Sequence, residues 1–261
     1  MVSNLPTVLA LDFDGVLCDG LKEYFITAWK AYCNIWQPEN STPPPWLAES
    51  FYRLRPVVET GWEMPVVLRA VLQGVSEEAI LRDWSTIAQQ IVNQENLAPA
   101  ELVAQVDGTR DKWIAANVNS WLAEHRFYPG VCDRLRTILQ TEIHVAIIST
   151  KEGRFIQQLL EQQGIDLTDL QLFGKEVQRP KGDILLELKQ VFGQDAVFWF
   201  VEDRLKTLQG IQKRLELSDV ELFLADWGYN TQRDREQAAQ DPFIHLISLE
   251  NFAQDFSTWL T

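Results

Sequence analysis

The sequence predicts an α/β protein with a doubly wound parallel sheet and an inserted all-helical domain. Three observations carry this prediction: short apolar runs that end in polar residues, helical patterns between those runs, and one long region without strands. Apolar runs without alternation are typical of strands buried on both faces, as in parallel sheets. Strands that alternate with helices predict an open sheet with helices on both of its faces.

Five apolar runs are the candidate strands. The first, Thr7–Leu11, runs directly into acidic residues and a glycine, and Ala196–Val201 is followed by Glu202 and Asp203. Apolar residues at helical spacing predict helices between the later runs. The other candidate strands are Ile143–Ile148, Val220–Ala225 and Ile244–Ile247, and the candidate helices are Gly130–Gln140, Arg154–Gln163, Gly182–Phe192 and Leu205–Leu215.

Residues 20–125 interrupt this alternation, because they contain helical patterns and no convincing strand. Consecutive prolines at Pro43–Pro45 exclude a helix there and predict a loop. A length of about 100 residues is that of a small domain. We therefore expect residues 1–18 and 126–261 to form the α/β core domain and residues 19–125 a helical domain. Its candidate helices are Leu21–Ile35, Pro45–Phe51, Met64–Leu72, Ser76–Val92 and Thr109–Leu122.

Composition excludes several classes of function. A net charge of −14 argues against nucleic-acid binding through a general positive field. The 3 cysteines, without C-x-x-C spacing, argue against a disulfide framework or a zinc site and favour reduced thiols in the cytoplasm. The N-terminal sequence resembles neither a signal peptide nor a membrane span, so we expect no membrane partner. The oligomeric state stays open.

The first candidate strand ends at a pair of acids. Asp12 and Asp14 follow it, and Gly15 gives the chain the freedom to turn and to bring both carboxylates into one cavity. Ligands of open α/β sheets bind beyond the carboxyl ends of the strands. Two close, desolvated carboxylates repel each other, and a divalent cation removes that cost. The arrangement suits a carboxylate nucleophile with an adjacent acid/base.

Other strand and helix ends supply matching groups. Ser149, with Thr150 beside it, offers a hydroxyl, and Lys181 opens a helix where it could neutralise charge. Glu202 and Asp203 add carboxylates, the ligands that Mg²⁺ prefers. Each residue alone is compatible with an ordinary structural role, such as a helix cap or a solvated charge. Their order and their positions at element boundaries together point to one shared site.

These motifs resemble those of the haloacid dehalogenase (HAD) superfamily. The resemblance implies a Rossmann-like core, with the helical insert as a type 1 cap, and it points to phosphoglycolate phosphatase-like members. It covers nearly the whole core. The residues that carry it are Asp12-x-Asp14-Gly15, the strand that ends in Ser149-Thr150-Lys151, Lys181, Glu202-Asp203, and the late Trp227-Gly228-Tyr229, which is similar to the W-G-Y of members with a helical cap.

The resemblance also implies a function: Mg²⁺-dependent hydrolysis of a small phosphorylated metabolite through an aspartyl-phosphate intermediate. Asp12 would attack phosphorus, and Asp14 would protonate the leaving oxygen and then activate water. Ser149 and Lys181 would hold the transferring phosphoryl oxygens. The remaining implied assignments are Gly15 and Thr150 in substrate binding, and Asp12, Asp14, Asp203 and Glu202 as metal ligands.

Two departures from the family pattern leave alternatives open. Many members carry a further acid four or five residues after the position of Asp203, where this chain has Thr207 and Leu208, so Glu202 would have to substitute. In many members the lysine that corresponds to Lys181 precedes a proline, and in this chain Arg179 holds that position. We favour Lys181, because a guanidinium does not replace a compact ammonium beside a carboxylate.

The reaction has alternatives too. A phosphomutase would use the same core, and a catalytically weak protein that only binds a phosphorylated metabolite would keep the site. A true dehalogenase is disfavoured, because it would leave Asp14 and the Glu202-Asp203 pair without a role. In the insert, Arg55 is the candidate for binding a carboxylate or second anionic group of the substrate, and a surface salt bridge is the alternative for this residue.

Overall fold

The computed structural model describes residues 5–260, which divide into two compact units. One unit, called the core unit here, contains the described residues up to Asp19 and those from Arg126 onward. The other, the helical unit, is Gly20–His125. Asp19 therefore clusters with the core unit, one residue beyond the boundary expected from the sequence.

Six parallel strands form the sheet of the core unit. They are β1 (Val8–Leu11), β4 (His144–Ile148), β5 (Leu170–Phe173), β6 (Phe198–Glu202), β7 (Glu221–Ala225) and β8 (Ile244–Ile247), and a separate antiparallel pair consists of β2 (Cys18–Asp19) and β3 (Arg126–Phe127). The order across the sheet is β5-β4-β1-β6-β7-β8. The central strand β1 pairs with β4 on one side and β6 on the other, so Leu11 lies beside both Ile147 and Val201. The predicted doubly wound parallel sheet is thereby confirmed.

The sequence did not predict β5. This strand lies at the edge of the sheet, where Gln171 is exposed and the other three residues are half-buried. A strand that borders solvent does not need the continuous apolar run by which the buried strands were recognised. The edge position therefore explains why the pattern search missed it.

The helical unit contains helices only, as expected for this part of the chain. The predicted helix that starts at Ser76 is α4 (Glu77–Gln94), and the Ser76 hydroxyl caps it by accepting a hydrogen bond from the backbone of Ala79 at 3.2 Å. The last helix begins at Pro99 rather than at Thr109, and proline is favoured in the first turn of a helix. The helices are α1 (Leu21–Trp36), α2 (Leu47–Leu54), α3 (Glu63–Leu72), α4 (Glu77–Gln94) and α5 (Pro99–Leu122).

Two apolar layers cover the sheet. Along β6, Phe198 and Phe200 pack in one core with residues of α8 (Lys181–Phe192) and α9 (Leu205–Gln212), whereas Trp199 faces the other side and packs on Trp259, with ring centroids 5.6 Å apart. Because both faces are buried, this strand is apolar up to Glu202, its last residue. The helices of this unit are α6 (Val131–Leu139), α7 (Gly153–Gln162), α8 (Lys181–Phe192), α9 (Leu205–Gln212), α10 (Gln232–Gln240) and α11 (Leu249–Phe252).

No helix within residues 5–260 combines the length and the hydrophobicity that crossing a bilayer requires.

Candidate active site

The site lies at the carboxyl edge of the sheet, where β1 ends. Asp12 follows the last residue of that strand, and its backbone N–H donates to the carbonyl of Val201 at 2.9 Å. Its carboxylate accepts a hydrogen bond from the backbone of Phe13 at 2.7 Å. Asp12 is only 7% exposed. The end of the strand therefore fixes this carboxylate between the ends of the two neighbouring strands.

Lys181, the first residue of α8, joins two of the acids. Its Nζ lies 2.9 Å from Oδ1 of Asp12 and 2.6 Å from Oε2 of Glu202. The other oxygen of Glu202 accepts from the backbone of Arg204 at 3.1 Å. Burial opposes the charge of Lys181, but Asp12 and Glu202 outweigh it and raise the pKa of the ammonium group above its ordinary value.

Asp203 is held by the loop that follows β7. The backbone N–H of Tyr229 donates to its Oδ2 at 2.7 Å, and the Asn230 side chain donates to its backbone carbonyl at 3.0 Å and to that of Ala225 at 2.7 Å. Gly228 lies so close that a Cβ there would stand 2.2 Å from the Cβ of Asp203. This loop accordingly fixes both the backbone and the side chain of Asp203.

Among the described residues, Asp12, Glu202 and Asp203 form a buried cluster in which one carboxylate oxygen of each residue lies within 4.8 Å of those of the other two. Burial, with the charge of Glu202, raises the pKa of Asp12 to about 7. Burial, with the charge of Asp12, raises the pKa of Asp203 to about 6. The cluster contains three carboxylates, and Lys181 supplies one ammonium beside them. The site therefore carries a net negative charge when all three carboxylates are ionised. An all-oxygen, negatively charged donor set fits a hard divalent cation.

Asp14 has a different environment. Its carboxylate contacts Lys151, whose Nζ lies 3.1 and 3.3 Å from the two oxygens. Ser149 is buried after β4, and its hydroxyl accepts from the backbone of Lys151 at 3.2 Å, whereas Thr150 beside it is exposed. The structure thus brings Asp12, Lys181, Glu202 and Asp203 together in direct contact or close proximity and gives Asp14 its own cationic partner.

The sequence prediction overlooked two residues of this environment. Lys151 belongs to the Ser149-Thr150-Lys151 motif, but the sequence analysis gave it no role. Its position two residues after a serine at a strand end could have indicated that it lies near the site. Asn230 follows the W-G-Y segment, and nothing in its local pattern indicates that its side chain bridges two loops. Arg179, the alternative to Lys181, instead pairs with Glu187 on the surface of the core unit, each side chain being 43% exposed.

Arg55 belongs to the helical unit. Its guanidinium donates to the carbonyl of Val58 at 3.1 Å and lies over the ring of Tyr24, 4.8 Å from the centroid. These contacts are internal to the helical unit, and the substrate-binding role of Arg55 stays a prediction.

Gly15 has a left-handed backbone, with φ of 90°, and a Cβ there would lie 2.1 Å from Oδ2 of Asp203. We expect Gly15→Ala to cost roughly 2–4 kcal/mol of unfolding free energy, because backbone strain and this contact add. Gly164→Ala is the matched control, since φ there is 68° and a Cβ would meet no heavy atom of the described residues within 4 Å. It should cost about 1 kcal/mol, from the backbone alone. Urea unfolding measures both, and equal losses would contradict the close approach of Gly15 to Asp203.

A family model for haloacid dehalogenase-like hydrolases matches residues 6–213. The chain belongs to the haloacid dehalogenase-like hydrolases. The sequence prediction of this family is therefore confirmed. No curated protein matches the chain in sequence.

Solved structures with the same fold cover nearly the whole chain of this HAD-like hydrolase. A predicted phosphoglycolate phosphatase from Haemophilus somnus is 15% identical with a TM-score of 0.59, and the match covers 97% of each chain. A predicted phosphatase from Clostridium acetobutylicum is 16% identical with a TM-score of 0.57, covering 95% of this chain and 97% of the other. The protein tyrosine kinase PtkA of Mycobacterium tuberculosis is 16% identical with a TM-score of 0.56, covering 94% and 95%. At these identities the likeness establishes the shared fold.

Proposed function

We propose that this HAD-like hydrolase is a Mg²⁺-dependent phosphatase that hydrolyses a small phosphate monoester through an aspartyl-phosphate on Asp12. The observation that carries the proposal is the contact of Asp12 with Lys181 at 2.9 Å inside a buried carboxylate cluster. Phosphoryl transfer needs a positioned nucleophile and charge neutralisation more than it needs covalent chemistry from several residues. A fixed carboxylate next to a buried ammonium and a cation-binding donor set meets those needs.

In this proposal each residue has a defined role. Asp12 attacks phosphorus and forms the new P–O bond as the ester P–O bond breaks. Asp14 gives its proton to the departing oxygen. In the second half of the reaction it takes a proton from the water that attacks phosphorus, while the P–O bond to Asp12 breaks and inorganic phosphate leaves. Lys181 orients Asp12, and with Ser149 it donates hydrogen bonds to the phosphoryl oxygens. Gly15 and Thr150 complete the proposed phosphate-binding loops.

Asp12, Asp203 and the backbone carbonyl of Asp14 would hold the cation, and Glu202 is the fourth proposed ligand. When bound, the cation supplies positive charge against the transferring phosphoryl group. Glu202 already accepts hydrogen bonds from Lys181 and from the backbone of Arg204. Its more direct contribution in this proposal is to hold Lys181 in place beside Asp12.

The helical unit is the proposed cap, with Arg55 as the candidate contact for a second anionic group of the substrate. Two structural neighbours are described as phosphoglycolate phosphatases, which favours a small, doubly anionic phosphate ester for this chain. A cytoplasmic location belongs to the same proposal and is supported by the three free cysteines, Cys18, Cys33 and Cys132.

The direct test is hydrolysis of 4-nitrophenyl phosphate and of a panel of phosphorylated metabolites by the purified protein with Mg²⁺. We expect turnover with Mg²⁺, its loss with EDTA, and its recovery when Mg²⁺ is added in excess. A phosphomutase would instead move the phosphoryl group to a second hydroxyl of the substrate and release little inorganic phosphate. Binding of a phosphate analogue without turnover of any ester would favour the binding protein over the enzyme.

The raised pKa values of the acids predict how metal-free protein responds to pH. Asp12 and Asp203 have folded-state pKa values of about 7 and about 6, above the ordinary value of 3.8. A carboxyl group whose folded pKa is raised stabilises the fold below its unfolded pKa, and this contribution is lost as pH rises through the folded pKa. Between pH 5 and pH 8, metal-free wild type should therefore lose Tm relative to Asp12→Asn, by about 5 °C.

Differential scanning fluorimetry in EDTA measures this difference, and Mg²⁺ should raise the wild-type Tm more at pH 8 than at pH 5, because it binds the ionised cluster. A difference between the two proteins that stays constant with pH would contradict the raised pKa of Asp12.

A further inference from the structure

Lys151 contacts both carboxylate oxygens of Asp14, at 3.1 and 3.3 Å, and none of the roles proposed above involves this lysine. Both side chains are mostly shielded from solvent, Lys151 being 8% and Asp14 17% exposed. A charge-assisted contact in such surroundings is stronger and better defined than a surface ion pair. The pair therefore fixes where the Asp14 carboxylate lies.

The backbone around Lys151 is itself fixed. Its N–H donates to the hydroxyl of Ser149 at 3.2 Å, and its carbonyl accepts from the backbone of Lys175 at 2.9 Å. The next turn is also held, because the backbone N–H of Gly153 donates to the carboxylate of Glu176 at 3.0 Å. The ammonium group thus reaches Asp14 from a rigid segment at the end of β4, whereas Lys181 reaches Asp12 from α8.

Asp12 and Asp14 are close in sequence but have different tasks in the proposed reaction. A free carboxylate beside the cluster of Asp12, Glu202 and Asp203 is itself a ligand for a divalent cation. Among the described residues the cluster contains these three acids, whereas the Asp14 carboxylate forms an ion pair with Lys151. A partner that holds Asp14 outside the cluster keeps its carboxyl group available for proton transfer to the ester oxygen.

We propose that Lys151 is the positioning residue that holds the Asp14 carboxylate outside the metal-binding cluster and at the leaving-group oxygen. This inference rests on the proposed phosphatase function, because proton donation matters only where an ester bond is broken. General-acid assistance grows with the basicity of the leaving group. Its loss therefore slows the hydrolysis of alkyl phosphates strongly and that of esters of acidic phenols very little.

The experiment compares kcat/KM for an alkyl phosphate and for 2,4-dinitrophenyl phosphate in wild type and in Lys151→Met. The alkyl phosphate should lose about 10- to 100-fold and the dinitrophenyl ester less than about 3-fold, since general-acid catalysis supplies roughly 10²–10⁴-fold. Lys151→Arg should restore most of the alkyl phosphate activity. Lys175→Met, at an exposed lysine next to this segment, is the matched control and should leave both esters unchanged.

A second measurement does not use activity. Titration with Mn²⁺ should give tighter binding in Lys151→Met than in wild type, by about 3-fold or more, because the released Asp14 carboxylate joins the cluster. In the Asp14→Asn background, Lys151→Met should leave Mn²⁺ affinity unchanged. Equal tightening in both backgrounds would mean that only the charge of Lys151 matters, and it would overturn the positioning role.

Equal losses for the two esters, or no loss for the alkyl phosphate in a folded Lys151→Met protein, would also overturn the inference. Failure of the proposed function is a different result, since wild type itself would then hydrolyse neither ester with Mg²⁺.

Discussion

Asp12→Asn should abolish hydrolysis of every phosphate ester that the wild type accepts, with kcat lower by about 10⁴-fold or more, as for other lost nucleophiles. The amide oxygen of asparagine can still accept the hydrogen bond from the backbone of Phe13, so the local fold is retained. It does not attack phosphorus, because it carries no negative charge. Steady-state release of inorganic phosphate measures the loss.

The same variant tests the intermediate. Acid-quenched wild type, sampled during turnover, should carry one phosphoryl group on the peptide that contains Asp12, and Asp12→Asn should carry none. Mass spectrometry of the digested protein detects the phosphorylated peptide. Asp195→Asn is the control, since that acid is exposed and lies on the core unit before β6. Hydrolysis that survives in Asp12→Asn at more than a few per cent of the wild-type rate would remove Asp12 as the nucleophile.

The sequence predicted the buried part of the fold well, for a physical reason. The strands β1 (Val8–Leu11) and β6 (Phe198–Glu202) are buried on both faces, and their apolar runs indicate that burial directly. The edge strand Leu170–Phe173 and the short pair Cys18–Asp19 and Arg126–Phe127 are defined by their partners instead. Their local sequences carry no such signal, and tertiary pairing decides their conformation.

The same distinction applies to the candidate site. Asp12, Ser149 and Asp203 could be found because each follows a recognisable strand, and parallel strands bring their carboxyl ends to one edge. Side-chain partners could not be found in this way. The contacts of Lys151 with Asp14 and of Asn230 with the backbone of Asp203 join residues far apart in the chain. They depend on the geometry of loops, which no periodicity encodes.

The position of Glu202 also became interpretable only from the structure. Its sequence neighbourhood suggested a metal ligand in place of a missing acid. Its side chain is fully buried and accepts a hydrogen bond from Lys181. A buried carboxylate that holds a buried ammonium contributes to the site without touching a cation, and this role is separable from metal binding by mutation.

Lys181→Met is expected to have the second-largest effect on activity and the largest on stability. Its ammonium group lies between Asp12 and Glu202, and the side chain is only 14% exposed. Removing one partner of a buried ion pair leaves the other charge uncompensated and costs about 3 kcal/mol or more. The loss of a donor to the phosphoryl oxygens should lower kcat by about 10²–10³-fold.

A second substitution separates these two effects. In the Lys181→Met background, Glu202→Gln removes one of the uncompensated buried charges and should recover about 1–2 kcal/mol of unfolding free energy. It should not recover activity, because no cation then contacts Asp12 from α8. Denaturant unfolding and phosphatase assays on wild type, both single variants and the double variant complete the cycle.

Arg179→Met is the matched control, because Arg179 pairs with Glu187 on the surface. Removing that exposed pair should change the unfolding free energy by less than about 1 kcal/mol. Activity should stay within a few-fold of wild type, because the Arg179 side chain is engaged with Glu187 and not with Asp12. If instead Arg179→Met lost activity and Lys181→Met kept it, Arg179 and not Lys181 would be the cation that holds the phosphoryl oxygens. The buried ammonium beside Asp12 would then serve stability alone.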